Sequence, residues 1–131
     1  MSTQHYDVLI LGAGISGIGM ACHLAQKCPD QRYAILERRR AIGGTWDLFR
    51  YPGIRSDSDV VSFGYRFRPW TGTKILADGA SIRAYVNDTA REFGVADKVH
   101  FGLKVTRADW SGADQRWTVS AVDEALGEPR V

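Results

Sequence analysis

The chain has 131 residues, a length typical of one domain, and its 44% hydrophobic and 24% charged residues are usual for a globular protein. A formal net charge of +2 is too small to steer the protein toward nucleic acid or a membrane surface. No apolar run approaches the roughly 18 residues of a membrane-spanning helix, and residues 1–5 show no signal-peptide pattern. Cys22 and Cys28 lack metal-ligand spacing, and as free thiols they favour a cytoplasmic location.

The first predicted unit is a strand, a glycine-rich turn, a helix and a second strand, over residues 6–37. An apolar run leads into G-A-G-I-S-G at residues 12–17, an amphipathic segment follows, and a second apolar run ends on Glu37. This is the G-x-G-x-x-G dinucleotide fingerprint in its required structural context, with an acid twenty residues after the third glycine. We therefore expect a nucleotide to bind here.

Each part of the fingerprint has a physical role. Gly12 permits the tight turn, Gly14 lets the backbone approach a pyrophosphate, and Gly17 lets the helix pack close to the strand. The N-terminus of the helix offers free N–H groups and the positive end of its dipole to the phosphates. Glu37 can accept hydrogen bonds from a ribose.

Three consecutive arginines, residues 38–40, follow Glu37. A solvated charge run is the simplest interpretation, and a clamp for the 2′-phosphate of NADP is the alternative. Because the Glu37 carboxylate would repel such a phosphate, the site favours FAD or NAD over NADP.

Residues 41–80 show little periodicity but many aromatic side chains, which predicts a packed functional loop. The Gly43–Gly44 pair lets the backbone pass close to a bound ligand, and Pro52–Gly53 suits the two central positions of a type II turn. A rigid structural loop with surface arginines is the alternative interpretation.

Five side chains of this loop could contact a flat, polar ligand. Trp46 and Tyr51 present planar surfaces that could pack on a ring system, whereas Arg50, Arg55 and Asp57 could supply charge. A simple turn or capping residue is the alternative interpretation of Asp57.

The second half of the chain contains further helical and strand patterns. The predicted elements are a helix over 81–93 that stops at Gly94, a third parallel strand over 99–103, a hairpin of 104–110 with 116–122, and a turn over 127–131. Trp110 and Trp117 flank the hairpin turn, and we expect them to pack across its strands. The predicted fold is α/β, a Rossmann-like, doubly wound domain with a β-hairpin or meander insertion.

Four motifs stand in a fixed order: G-A-G-I-S-G at 12–17, Glu37, G-G-T-W at 43–46, and R-Y-P-G-I-R-S-D at 50–57. In this order they resemble the start of a Baeyer–Villiger flavin monooxygenase, most of all the ethionamide-activating type. The likeness continues through S-D-S-D at 56–59 and Y-R-F-R-P-W at 65–70 to Trp117, so it covers nearly the whole chain. It covers only the front of the family's much longer chain.

The resemblance implies that FAD binds across the glycine turn, with Glu37 on the adenosine ribose and Asp57 as a catalytic residue near the reacting flavin edge. It also implies that NADPH reduces the flavin and that O2 forms a C4a-peroxyflavin, which converts a ketone to an ester or lactone. Asp57 would orient an arginine of the NADPH domain. The cofactor-binding residues predicted in this way are Gly12, Gly14, Ile15, Ser16, Gly17, Glu37, Arg38, Gly44, Thr45, Trp46, Tyr51 and Asp57.

Other parts of the family pattern are missing from residues 1–131. The sequence holds no second glycine fingerprint for NADPH, and His5, His23 and His100 do not form the F-x-G-x-x-x-H-x-x-x-W signature. We therefore expect a partial FAD-binding domain, incomplete at its C-terminus and inactive alone. Uncovered apolar edges predict poor folding and weak FAD binding.

Two alternative functions remain open. One is a flavin monooxygenase that oxidises nitrogen or sulfur, for example in a thioether. The other is a non-catalytic nucleotide-binding remnant. No nucleic-acid partner and no metal ion are expected in any of these cases.

Overall fold

A three-stranded parallel sheet lies at the centre of residues 3–130, the part of the chain that this computed structural model describes. Its strands are β1 (Val8–Leu11), β2 (Tyr33–Glu37) and β3 (Val99–Phe101), with β2 in the middle. The third parallel strand is therefore confirmed, although it ends two residues before the predicted boundary. The predicted Rossmann-like α/β fold is confirmed as well.

The described residues form four α-helices: α1 (Ile15–Lys27), α2 (Thr45–Leu48), α3 (Val60–Phe63) and α4 (Gly79–Glu92). The two long helices, α1 and α4, pack on each other and on one face of the sheet. Their fully buried side chains include Ile18, Cys22, Ile82 and Val86, which join Ile35 of β2 in one core. Each large apolar side chain buried in this way contributes about 1.5–3 kcal/mol.

Helix α4 begins two residues before the predicted start. Asp78 is its N-cap, and the carboxylate accepts a hydrogen bond of 2.8 Å from the backbone N–H of Ser81. A short polar side chain in this position satisfies one of the four unpaired N–H groups at the start of a helix. The cap, rather than the apolar stripe, sets the boundary.

The aromatic segment between β2 and α4 is packed, as predicted. Tyr65 stacks on Phe67 with ring centroids 4.8 Å apart, and it lies 5.6 Å from Tyr85 of α4. The backbone N–H of Tyr65 donates to the Tyr85 hydroxyl at 2.8 Å. The Pro52–Gly53 turn is also present, and Gly53 has the φ of +83° that a type II turn requires.

Residues 103–130 form an antiparallel meander of β4 (Leu103–Ser111), β5 (Arg116–Asp123) and β6 (Glu128–Arg130). The hairpin prediction is confirmed, and Trp110 lies opposite Trp117 with ring centroids 5.5 Å apart. The predicted turn over 127–131 is wrong for 128–130, which pair with β5, and Val131 lies outside the described residues. An edge strand tolerates a proline such as Pro129.

The meander lies over the sheet face opposite α1. Leu9 and Leu36 line a cleft of about 620 Å³ on this face, together with Leu103 and Ala121 of the meander. Within the described residues, the outer edge of β1 has no partner strand, and Leu11 on it is 52% exposed. No helix of the described residues is long and apolar enough to cross a membrane.

Candidate dinucleotide-binding site

The glycine turn joins β1 to α1 at the carboxyl end of the sheet. The N–H of Gly12 donates to the Leu36 carbonyl at 2.8 Å, and Gly12 has a φ of +101°. Helix α1 starts at Ile15 with Gly14 as its N-cap, no side chain caps it, and its first turn contains no acidic residue. The first N–H groups and the positive end of the dipole are therefore free to attract an anionic group.

Two backbone segments meet at this turn. A Cβ on Gly17 would lie 1.9 Å from the Gly12 carbonyl oxygen, and a Cβ on Gly44 would lie 2.9 Å from Gly14 Cα. The N–H of Gly43 donates to the Ala13 carbonyl at 3.0 Å. The structure thus brings the predicted fingerprint together with the predicted Gly43–Gly44 pair.

Glu37 ends β2 beside the glycine turn and is only 6% exposed. Its Oε2 accepts a hydrogen bond from Ala13 N at 2.8 Å, and its Oε1 accepts one from Arg39 N at 2.7 Å. Each carboxylate oxygen has capacity for a further hydrogen bond. Glu37 therefore holds the glycine turn in place, a structural role that the sequence did not reveal, and its contact with a ribose stays a prediction.

The arginines after β2 are not a uniform solvated run. Arg38 pairs with Glu124 in the turn after β5, with Nε 2.9 Å from Oε1, and the side chain of Arg39 pairs with Asp47. The solvated interpretation is therefore wrong for Arg39, since it reaches across to α2. All of these side chains line one cleft of about 890 Å³ beside Glu37.

Asp47 of α2 is a buried carboxylate that the sequence analysis missed. It is 6% exposed, and Arg39 and Arg50 both bind it. Burial raises the pKa of Asp47, but the hydrogen bonds and charges of the two arginines outweigh that effect and hold it below its ordinary value. The only sequence signal for this cluster was that Asp47 lies between Arg39 and Arg50 in the chain. That spacing matches no recognisable motif.

The remaining predicted residues of the loop lie at different places. Trp46 is half-buried and packs edge-on against Phe63, with ring centroids 5.9 Å apart, whereas Thr45 begins α2 and is exposed. Tyr51 is 61% exposed and lines a second cleft, of about 610 Å³, with Trp46. Asp57 is exposed, and within the described residues no hydrogen bond or ring contact joins it or Tyr51 to the glycine turn. Their roles at a flavin stay predictions.

Tyr65 contacts the first turn of α1, a role that the sequence analysis did not predict. Its hydroxyl donates to the Ile15 carbonyl at the start of α1. A Cβ on Gly19 would lie 2.8 Å from the Tyr65 ring, so this glycine lets the ring approach the helix closely. Burial raises the pKa of the Tyr65 hydroxyl well above its ordinary value, which keeps it a hydrogen-bond donor.

Cysteine and metal chemistry are not prominent in the described part of the chain. Cys22 is buried in α1, Cys28 is exposed at the end of that helix, and both are free thiols. Residues 3–130 contain no group of three or more His, Cys, Asp or Glu side chains that could hold a metal ion.

Comparison with known proteins identifies the family. Residues 10–77, about half of the chain, match a family described as the NAD(P)-binding Rossmann-like domain. The chain belongs to this family.

Curated relatives narrow the resemblance. One relative is MymA of Mycobacterium tuberculosis, named as a putative FAD-containing monooxygenase. It is 65% identical to this chain over 127 residues, which are 97% of this chain and 26% of MymA. The FAD-containing monooxygenase EthA of the same organism is 58% identical over 117 residues, or 89% of this chain and 24% of its own. The resemblance to flavin monooxygenases is confirmed. The chain spans about a quarter of the length of these relatives.

Solved structures agree with this family resemblance. An oxidized steroid monooxygenase bound to NADP matches with a TM-score of 0.83 and 29% identity over 95% of this chain and 24% of its own. Cyclohexanone monooxygenase from Rhodococcus sp. Phi1, bound to NADP+, matches with a TM-score of 0.82 and 26% identity over 98% and 24%. A third match, at a TM-score of 0.80, 29% identity and 92% and 23% coverage, is OTEMO in complex with FAD and NADP.

Proposed function

We propose that residues 1–131 form part of the FAD-binding domain of an FAD- and NADPH-dependent monooxygenase. The observation that carries this proposal is the uncapped N-terminus of α1, beside the contact between the Gly14 and Gly44 backbones. Unpaired N–H groups at the start of a long helix suit the pyrophosphate of a dinucleotide. Glu37, one strand away, suits a ribose.

The residues present fit FAD. The pyrophosphate would lie at the N–H groups of Ile15, Ser16 and Gly17, where no side chain competes for them. The adenosine ribose would lie at Glu37, in the cleft that Arg38 also lines. The backbone at Gly44 would pass close to the dinucleotide, because it already touches the glycine turn.

The residues proposed for the flavin end are Gly44, Thr45, Trp46, Tyr51 and Asp57. Tyr51 has the exposure that contact with a ligand requires, and so does Asp57. Trp46 would have a fixed orientation toward the flavin, since its ring already packs against Phe63. We place no NADPH site in this segment, because its sequence holds a single glycine fingerprint.

The reaction proposed for the whole protein is insertion of oxygen next to a ketone carbonyl, a Baeyer–Villiger oxidation. When bound, the flavin supplies the redox chemistry with NADPH and O2, and the protein supplies position and electrostatics. The name of the matching cyclohexanone monooxygenase, with its cyclic ketone, supports a ketone over a thioether. The cytoplasmic location that the two free thiols favour is part of this proposal.

Titration of the whole protein as the cell makes it, freed of its flavin, with added FAD tests the binding proposal. Quenching of flavin fluorescence should saturate at one FAD per chain, and Gly14→Ala should weaken binding at least ~10-fold, since the methyl group obstructs the approach of a pyrophosphate. The variant should still fold, because its Cβ would lie 3.6 Å from Gly44 Cα, an ordinary contact. Gly112→Ala, with open space around its Cβ, is the matched control.

Two results would count against the proposal. A wild-type protein that folds but takes up no FAD would contradict the FAD site. For the reaction, the protein as the cell makes it should convert cyclohexanone to a lactone with NADPH and O2. If the protein oxidised only a thioether, the proposed ketone reaction would be wrong and oxidation of a heteroatom would take its place.

A further inference from the structure

Two arginines, one on each side of Asp47 in the chain, bind its carboxylate. Arg39 donates to Oδ2 from Nε at 3.0 Å and from Nη2 at 2.8 Å, so both of its hydrogen bonds reach the same oxygen. Arg50 donates to Oδ1 from Nη2 at 2.7 Å, and its Nε donates to the Asp47 backbone carbonyl at 3.0 Å. Planar guanidinium groups bound in this way fix both distance and orientation.

This cluster is continuous with the glycine turn. The backbone N–H of Arg39 donates to Glu37, and the other oxygen of Glu37 accepts the N–H of Ala13. On the opposite side, the N–H of Gly43 donates to the Ala13 carbonyl at 3.0 Å. Two connections therefore join the turn that contains Ala13 to the turn that leads into Asp47. One is the direct hydrogen bond from Gly43, and the other runs through Glu37 and Arg39.

We propose that Asp47 is a positioning residue for FAD, a role that rests on the proposed function above. By holding Arg39 and Arg50, its carboxylate keeps α2 against the end of β2, so that Gly44 stays beside Gly14 at the width that a dinucleotide needs. Asp47 lines the cleft beside Glu37 and contributes to binding through these partners.

The exposure of the partners separates this role from folding. The side chain of Asp47 is 7% exposed, but those of Arg39 and Arg50 are 38% and 57% exposed. Water can therefore solvate both guanidinium groups when the carboxylate is removed, so no charge is left buried and unpaired. The energetic cost to folding is limited, whereas the orientation of Arg39 and of α2 is lost.

FAD titrations of the whole protein as the cell makes it, freed of its flavin, test the proposal. Asp47→Asn keeps the size of the side chain and removes its charge, and it should raise the Kd for FAD at least ~10-fold while the variant stays folded. Asp109→Asn is the matched control, because this exposed carboxylate pairs with Arg107 on the meander and should leave the Kd unchanged.

A double-mutant cycle adds a readout that a loss of stability alone would not move. If Asp47 acts by holding Arg39, then Arg39→Gln combined with Asp47→Asn should weaken FAD binding no further than the larger single effect. Strictly additive losses would overturn the proposed connection.

The possible failures are distinguishable. If the wild-type protein binds FAD and Asp47→Asn binds it equally well, the positioning role is wrong and the FAD site stands. If Asp47→Asn is unfolded at the assay temperature, the carboxylate serves folding and the positioning role is again overturned. If the folded wild-type protein binds no FAD, the proposed function fails, and the positioning role fails with it.

Discussion

Gly17→Ala tests whether close packing of α1 against the glycine turn shapes the site. The added Cβ would lie 1.9 Å from the Gly12 carbonyl oxygen and 3.0 Å from its carbon, well inside normal contact. Because the obstructing atoms belong to the backbone, the helix or the turn must move, which costs about 3 kcal/mol. The better helix propensity of alanine offsets about 1 kcal/mol of this cost. We expect a net loss of about 2 kcal/mol.

Thermal unfolding followed by far-UV circular dichroism measures this loss. At roughly 4 °C per kcal/mol for a domain of this size, the Tm of Gly17→Ala should fall by about 8 °C. FAD affinity should fall as well, since the first N–H groups of α1 move with the helix. Gly112→Ala, where nothing lies within 4 Å of the new Cβ, should keep the wild-type Tm. A Gly17→Ala protein with the Tm and FAD affinity of the wild type would refute the steric argument.

Three further predictions concern stability and thiol chemistry. Asp78→Ala removes the N-cap of α4 and should cost about 1 kcal/mol in urea unfolding, and an unchanged midpoint would mean that the cap contributes nothing. Burial raises the pKa of the Cys22 thiol to about 11, so a thiol reagent at neutral pH should modify exposed Cys28 quickly and Cys22 only after unfolding. Rapid modification of two thiols per folded chain would contradict this. Burial raises the pKa of Asp47, but its two arginines lower it by more, so its stabilisation is present above the ordinary pKa near 4 and is lost as the pH falls through the lower pKa of the folded protein. The stability difference between the wild type and Asp47→Asn should therefore shrink in acid, and a difference that persists there would exclude an ionic origin.

Local patterns predicted most of the fold. The β1–α1–β2 unit, the helix that became α4 and the hairpin of β4 and β5 each repeat their apolar residues with the period of the element. The errors occurred where an element is short or where a capping residue sets the first residue of a helix. Helices α2 and α3 have four residues each, and β6 has three, too few to show a period.

The sequence by itself determined the glycine turn, the acid at the end of β2 and the family, because these features depend on residues close together in the chain. Only the tertiary structure decided how the 43–50 turn meets that site. It placed Gly44 against Gly14, Arg38 against Glu124, and Arg39 against Asp47. Such pairs form no pattern along the chain, because they depend on how packed elements bring distant residues within contact.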